Sequence, residues 1–128
     1  MALGELDRTF GDVYGNDAGH LEFQYTARAS YALNKAFGAP IGKAFGITVG
    51  APAGIGVVLA DTAVKAATVD VIGYASPAGG TSYSNEVISF LSGDSGAVRQ
   101  AIIAAREVGI PLLGALGAKP ESTTTPYI

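Results

Sequence analysis

Two short stretches carry residue types in patterns that do chemistry. In "YALNK", Tyr31 and Lys35 stand four residues apart, which on a helix stacks a phenol and an ammonium one turn apart on one face. Such a pair can hold and transfer a proton, the lysine favouring the phenolate. In "TVGAPAGIG", Thr48 to Gly56, the glycines fall as G-x-x-x-G-x-G where a strand hands over to a helix. Glycines at such a turn let backbone N–H groups approach a pyrophosphate at the positive end of a helix. Together the two stretches describe hydride transfer with a dinucleotide.

The order of the elements argues against that chemistry. In the dinucleotide-binding fold the glycine turn lies in the first βαβ unit, and the carboxylate that holds the ribose closes the second strand. Here Asp70 opens its strand, and Tyr31 and Lys35 precede the glycines, whereas the catalytic pair of a short-chain dehydrogenase follows them. The 128 residues suit one compact domain and not a full dehydrogenase core. Tyr31 and Lys35 then read as an exposed helical pair. The glycines read as positions where a helix start approaches a sheet or a neighbouring subunit closely.

Composition removes further classes. A hydrophobic share of 48% supplies a packed interior, and charged residues at only 15% leave a surface suited to meeting other protein. A formal net charge of -3, with no basic run interleaved with aromatics, gives no attraction to phosphate backbones, so no nucleic-acid partner is expected. The chain has no cysteine and a single histidine, His20, so disulfide, thiolate and metal chemistry are not expected, nor is a cofactor. "MALGELDRTF" lacks the basic start and apolar run of a secretory signal. "GVVLADTAVKAATVDVIGY" is interrupted by Asp61, Lys65 and Asp70, too much charge for a membrane span.

The elements that position these residues are read from periodicity. Leu3, Leu6 and Phe10 show helical spacing that stops at Gly11 and Gly15. "HLEFQYTAR" alternates as a half-buried strand, with Leu21, Phe23, Tyr25 and Ala27 on one face. A short helix is predicted from Ser30 to Phe37, ended by Gly38 and Pro40. "KAFGITVG" follows as a strand, then a helix from Ala53 to Ala67 carrying Asp61 and Lys65 as an i,i+4 pair. "VDVIGYA" reads as a buried strand, "SPAGGTSYS" as a loop and "NEVISFL" as another strand. Asp94 or Ser95 caps a helix with Val98, Ala101, Ile102, Ala105 and Val108 on its stripe, stopped by Gly109. "IPLLGAL" is expected as a last strand near an edge. The fold class is α+β, with two main helices on a mainly antiparallel sheet.

With the elements placed, Val57 to Gly109 resembles the shell domain of bacterial microcompartments (BMC domain). The resemblance rests on "ADTAVKAA" in a helix, "VIGY" in the next strand and "GDSGAV" opening the second helix. The strand that usually closes that domain comes first here, as "HLEFQYTAR", which is similar to the circularly permuted members of this ferredoxin-like fold. Arg8 to Gly46 resembles the carboxy-terminal half of tandem-domain shell proteins of the PduB/EtuB type, which serve propanediol-, ethanol- and ethanolamine-type compartments. Residues 1–18 are then expected to be the remnant of a preceding helix and linker, 19–117 the permuted domain and 118–128 a flexible tail.

The resemblance implies a structural, non-enzymatic role in a microcompartment in the cytoplasm. Cyclic trimeric, pseudohexameric or hexameric tiles would pack with themselves and with other BMC shell proteins, and pores would pass small polar metabolites such as short diols or alcohols. By the same resemblance Lys65 lies at the tile edge, with Arg28 a second edge contact. The pore loop is Ser76, Pro77, Ala78, Gly79, Gly80, Thr81, Ser82, Tyr83 and Ser84, all neutral, with hydroxyl donors and acceptors and two adjacent glycines. An oligomeric α+β regulatory domain that binds a small ligand between subunits is the alternative reading.

Overall fold

Alternation in β2 (His20–Thr26) buries Leu21, Phe23 and Tyr25 and turns Glu22 and Gln24 the other way. That strand sits inside a six-stranded sheet of order β4-β5-β3-β2-β1-β6, every neighbour antiparallel. The computed structural model describes residues 9–76, 86–117 and 120–122. Its other strands are β1 (Thr9–Gly15), β3 (Ala44–Ala51), β4 (Asp70–Ala75), β5 (Val87–Gly93) and β6 (Glu121–Ser122). The helices are α1 (Tyr31–Phe37), α2 (Ala53–Ala66) and α3 (Ser95–Leu116).

The central strand β3 decides how the layers stack. Ala44, Gly46, Thr48 and Gly50 alternate onto one face, and a Cβ added at Gly46 would lie 2.9 Å from Val98 and Ile102 of α3. Small residues there let α2 and α3 settle directly on the sheet, over a core of Phe10, Leu21, Phe23, Leu59, Leu91, Val98, Ile102 and Leu113. The opposite face carries Phe45 and Ile47, which pack with Phe90, Ile72 and Leu33 of α1 in a second, smaller cluster. Phe37 of α1 stacks on Phe45 at 5.5 Å and on Phe90 at 5.0 Å between ring centroids.

Local signals set the start and end of α1. The Ser30 hydroxyl accepts from the Leu33 N–H at 3.3 Å, satisfying one of the free donors of the first turn. Gly38 ends the helix with φ 74°, a left-handed conformation that glycine adopts without a Cβ penalty.

Four expectations are corrected. The helical spacing around Phe10 gives way, from Thr9 to Gly15, to strand β1, paired along its full length with β2. Its inward residues are Phe10, Asp12 and Tyr14, and the buried Asp12 masks the alternation. The helix that opens at Ser95 does not stop at Gly109, and "IPLLGAL" is no strand: α3 runs through Gly109 and Pro111 to Leu116. Gly109 is there for contact, since a Cβ would sit 2.7 Å from Leu59 Cδ2 of α2. Pro111 removes the N–H that would bond the Glu107 carbonyl, but both residues are exposed, so water can take that place. Strand β4 is an edge strand with Val71 and Tyr74 exposed, not a buried one. In the tail, Pro120 is buried and Glu121–Ser122 pair with β1.

Candidate functional site

Helix α2 carries the predicted edge lysine. Its buried side is Ile55, Gly56, Leu59 and Ala63, which leaves Asp61 and Lys65 on the outer side. Lys65 Nζ donates to Asp61 Oδ2 at 2.8 Å, with both side chains largely in solvent. The same helix exposes Val57, Val58 and Val64, and the edge strand β4 exposes Val71 and Tyr74, the last at 78%. Apolar side chains beside a charged pair, on one helix and one sheet edge, have the make-up of a surface that another protein covers.

The glycine turn does structural work. A Cβ on Gly50 would lie 2.6 Å from the Gly56 backbone nitrogen, and one on Gly56 would lie 2.6 Å from Val87 Cβ and 2.8 Å from the Gly50 carbonyl oxygen. The first turn of α2 therefore rests against β3 and β5, as the close-packing reading expects. Alanine at Gly56 would gain about 1 kcal/mol in helix propensity, but overpacking against backbone costs about 1–3 kcal/mol. Gly56→Ala is expected to destabilise by up to about 2 kcal/mol, and Gly54→Ala, in the same helix with open space around its Cβ, to be neutral or stabilising. Thermal melts of the two variants side by side read the difference.

Tyr31 and Lys35 lie on α1 as an exposed pair, the Lys35 ammonium 6.0 Å from the Tyr31 ring centroid. Neither lines the cleft between Arg28, Lys43 and Asp94, and the glycine turn belongs to other elements, β3 and α2. Among the described residues no group of three or more His, Cys, Asp or Glu is placed to hold a metal ion, and no helix is long and apolar enough to cross a membrane.

The connection predicted as the pore loop joins β4 to β5, which are antiparallel neighbours with Ala75 opposite Ile88. Ser76 and Glu86 form its root: the Ser76 hydroxyl donates to the Glu86 carbonyl at 2.9 Å. Glu86 Oε2 meets His20 Nε2 at 3.1 Å with both side chains mostly buried, tying the root to the first residue of β2. Sequence reasoning missed this contact because His20 and Glu86 are 66 positions apart in the chain. Pro77, Ala78, Gly79, Gly80, Thr81, Ser82, Tyr83 and Ser84 lie outside the described residues.

Arg28, the second predicted edge residue, is exposed two residues beyond β2. It lines an open cleft of about 560 Å³ with Ile41, Lys43, Gly93, Asp94 and Ser95, at the end of β2 where α3 begins. Beneath it the Tyr25 hydroxyl donates to the Ser95 carbonyl at 3.1 Å. Burial pushes the Tyr25 phenol above its usual pKa, with the Ser95 side chain and the Arg99 charge pulling the other way. On β1, burial and then the Asp12 carboxylate push Tyr14 up as well, so both phenols stay neutral donors at physiological pH.

Two helices on one face of an antiparallel sheet, with two strands ahead of the β–α core, define a permuted ferredoxin-like α+β domain that presents apolar edges. The chain belongs to the BMC domain family, whose model matches residues 44–118. Strands β1 and β2 precede that match, which is the permutation seen in the sheet. The chain is 66% identical over all 128 residues to the bacterial microcompartment shell protein PduB of Citrobacter freundii, of which it covers 47%. Its fold superposes on the crystal structure of a trimeric microcompartment shell protein PduB with a TM-score of 0.83 and 53% identity, over 98% of this chain and 56% of that one. The crystal structure of EtuB from Clostridium kluyveri gives a TM-score of 0.81 and 56% identity, over 89% of this chain and 50% of that one. The chain spans about half the length of the curated relatives it matches, and so resembles one domain of a tandem-domain protein.

Proposed function

We propose that the chain is a structural shell domain of a bacterial microcompartment, not an enzyme, and that it closes with further BMC domains into a trimeric, pseudohexameric or hexameric tile. The observation that carries this reading is the likeness along the whole chain to shell proteins that carry about twice its length, one of them a trimer. Six domains of this fold then complete a ring, since a heterologous interface closes by rotation. The exposed apolar residues of α2 and β4 support it, because a ring domain must bury such surface against its neighbours.

In this reading the tiles pack with themselves and with other shell proteins around enzymes in the cytoplasm. The connection between β4 and β5 faces the axis or a pore, and its hydroxyl-rich sequence from Ser76 to Ser84 suits neutral polar metabolites such as short diols or alcohols. The test is direct. Light scattering should give a closed oligomer at micromolar concentration, and electron microscopy of concentrated protein should show sheets, tubes or discs. A monomer with no ordered assembly at any concentration would overturn the shell reading.

A further inference from the structure

The cleft at the end of β2 is lined by Arg28, the second predicted edge residue, together with groups to which the shell reading gives no role, and its lining is specific in charge. Arg28 comes from the segment after β2, Lys43 from the residue before β3, and Gly93, Asp94 and Ser95 from the junction of β5 and α3. Three separate stretches of chain thus bring two cations and one carboxylate to one concavity. Neither cation is spent inside the fold. Lys43 is bonded through its backbone alone, its N–H donating to the Pro40 carbonyl at 3.2 Å and its carbonyl accepting from the Ala29 N–H at 2.6 Å, and neither its ammonium nor the Arg28 guanidinium pairs with a carboxylate of the described residues. Asp94 lines the cleft without pairing with either.

The floor is open as well as positive. Gly42 adopts φ 83° with nothing within 4 Å of where its Cβ would be, so a left-handed turn that favours glycine holds Lys43 beside an unobstructed space. The volume of about 560 Å³ falls in the range of small-molecule sites.

We infer that this cleft is a binding site for a small multiply charged oxyanion, with phosphate as its simplest form, held between the Arg28 guanidinium and the Lys43 ammonium. Arg28 offers a planar fork of N–H donors to two oxygens, and Lys43 a compact point charge to a third. Asp94 selects against weakly charged anions: its carboxylate offsets one of the two cations, so acetate or chloride gains little net attraction while a dianion still gains. This chemistry differs from that of the neutral 76–84 sequence, and phosphate binding is measured separately from tile assembly, in which Arg28 is the second predicted edge residue.

The probe is inorganic phosphate, followed by phosphorus NMR as the full 128-residue chain is added at constant ionic strength. Saturable broadening of the phosphate signal with a dissociation constant in the millimolar range is expected, as is competition by sulfate at least about tenfold better than by acetate or chloride. Arg28→Gln and Lys43→Gln should each weaken phosphate by about tenfold, the scale of one charge-assisted hydrogen bond. Lys35→Gln, an exposed cation on α1 away from the cleft, is the control and should change nothing. Absence of saturation, or equal weakening by Lys35→Gln, would show only diffuse attraction to surface charge and overturn the site.

Discussion

Replacement of Arg106 by methionine is expected to lower the free energy of unfolding by about 3–5 kcal/mol, a large share of the ~5–15 kcal/mol that holds a domain of this size together. Arg106 Nη1 donates to Asp12 Oδ2 at 3.0 Å, the Asp12 side chain being fully buried and that of Arg106 14% exposed. The second carboxylate oxygen, Oδ1, is buried and makes no hydrogen bond with the described residues. The guanidinium is therefore the main compensation for a charge taken out of water, and methionine keeps the stem while removing that compensation. Arg106→Lys keeps the charge but not the planar fork and should fall between. Asp12→Leu combined with Arg106→Met removes both charges and should recover most of the loss. Urea unfolding of the four proteins measures this. A single Arg106→Met change within about 1 kcal/mol of the parent would mean that the pair acts like a surface ion pair and that the buried-charge account is wrong.

The same pair explains why β1 was not legible. Inward residues of a strand are recognised by apolar alternation, but here the inward series is Phe10, Asp12 and Tyr14, and the residue that makes a buried aspartate tolerable lies 94 positions away. Nothing local signals that partner, while Leu3, Leu6 and Phe10 imitate a helix. By contrast β2, α1 and α2 were legible because each carries its own cause: clean alternation, a Ser30 cap with a Gly38 stop, and an apolar stripe with an i,i+4 ion pair.

Helix α3 shows a different failure. Gly109 and Pro111 are local stop signals, yet the buried stripe of Val98, Ala101, Ile102, Ala105, Gly109 and Leu113 continues at helical spacing through both. Leu113 was the available clue, four residues beyond Gly109. The glycine answers to Leu59 of the neighbouring helix, a tertiary demand that local reading cannot see. For β4 the pattern misled in the opposite sense: Val71 and Tyr74 look like core residues but are exposed on a sheet edge, as expected where burial comes from a neighbouring subunit. Of the candidate site, the Asp61–Lys65 pair and the two strands flanking the 76–86 connection were legible. The His20–Glu86 contact at its root was not.

Replacement of Lys65 by aspartate is expected to abolish extended sheets while leaving the closed oligomer and the fold intact. Lys65 is exposed on the outer side of α2, and its partner among the described residues is Asp61, four residues earlier on the same helix. Within the fold that pair is worth only about 0.3–0.5 kcal/mol. Aspartate at position 65 replaces it with a like-charge pair at i,i+4 and puts a negative charge in the last turn of the helix, costing about 1 kcal/mol in all. Such a change lowers the melting temperature by a few degrees at most, too little to unfold the tile. Under the shell function proposed above, loss of sheets would then come from contact between tiles, where the Lys65 stem would lie along a neighbouring edge and its ammonium would meet acceptors that a carboxylate repels. Asp61→Asn provides the separating control, since it breaks the pair within the helix but keeps Lys65. Sheets should persist in Asp61→Asn and in Lys65→Arg, weaken or vanish in Lys65→Ala and be absent in Lys65→Asp, with light scattering unchanged throughout. If Lys65→Asp still forms sheets, Lys65 is no edge residue. If Asp61→Asn loses them equally, the helical pair and not the lysine alone shapes the edge.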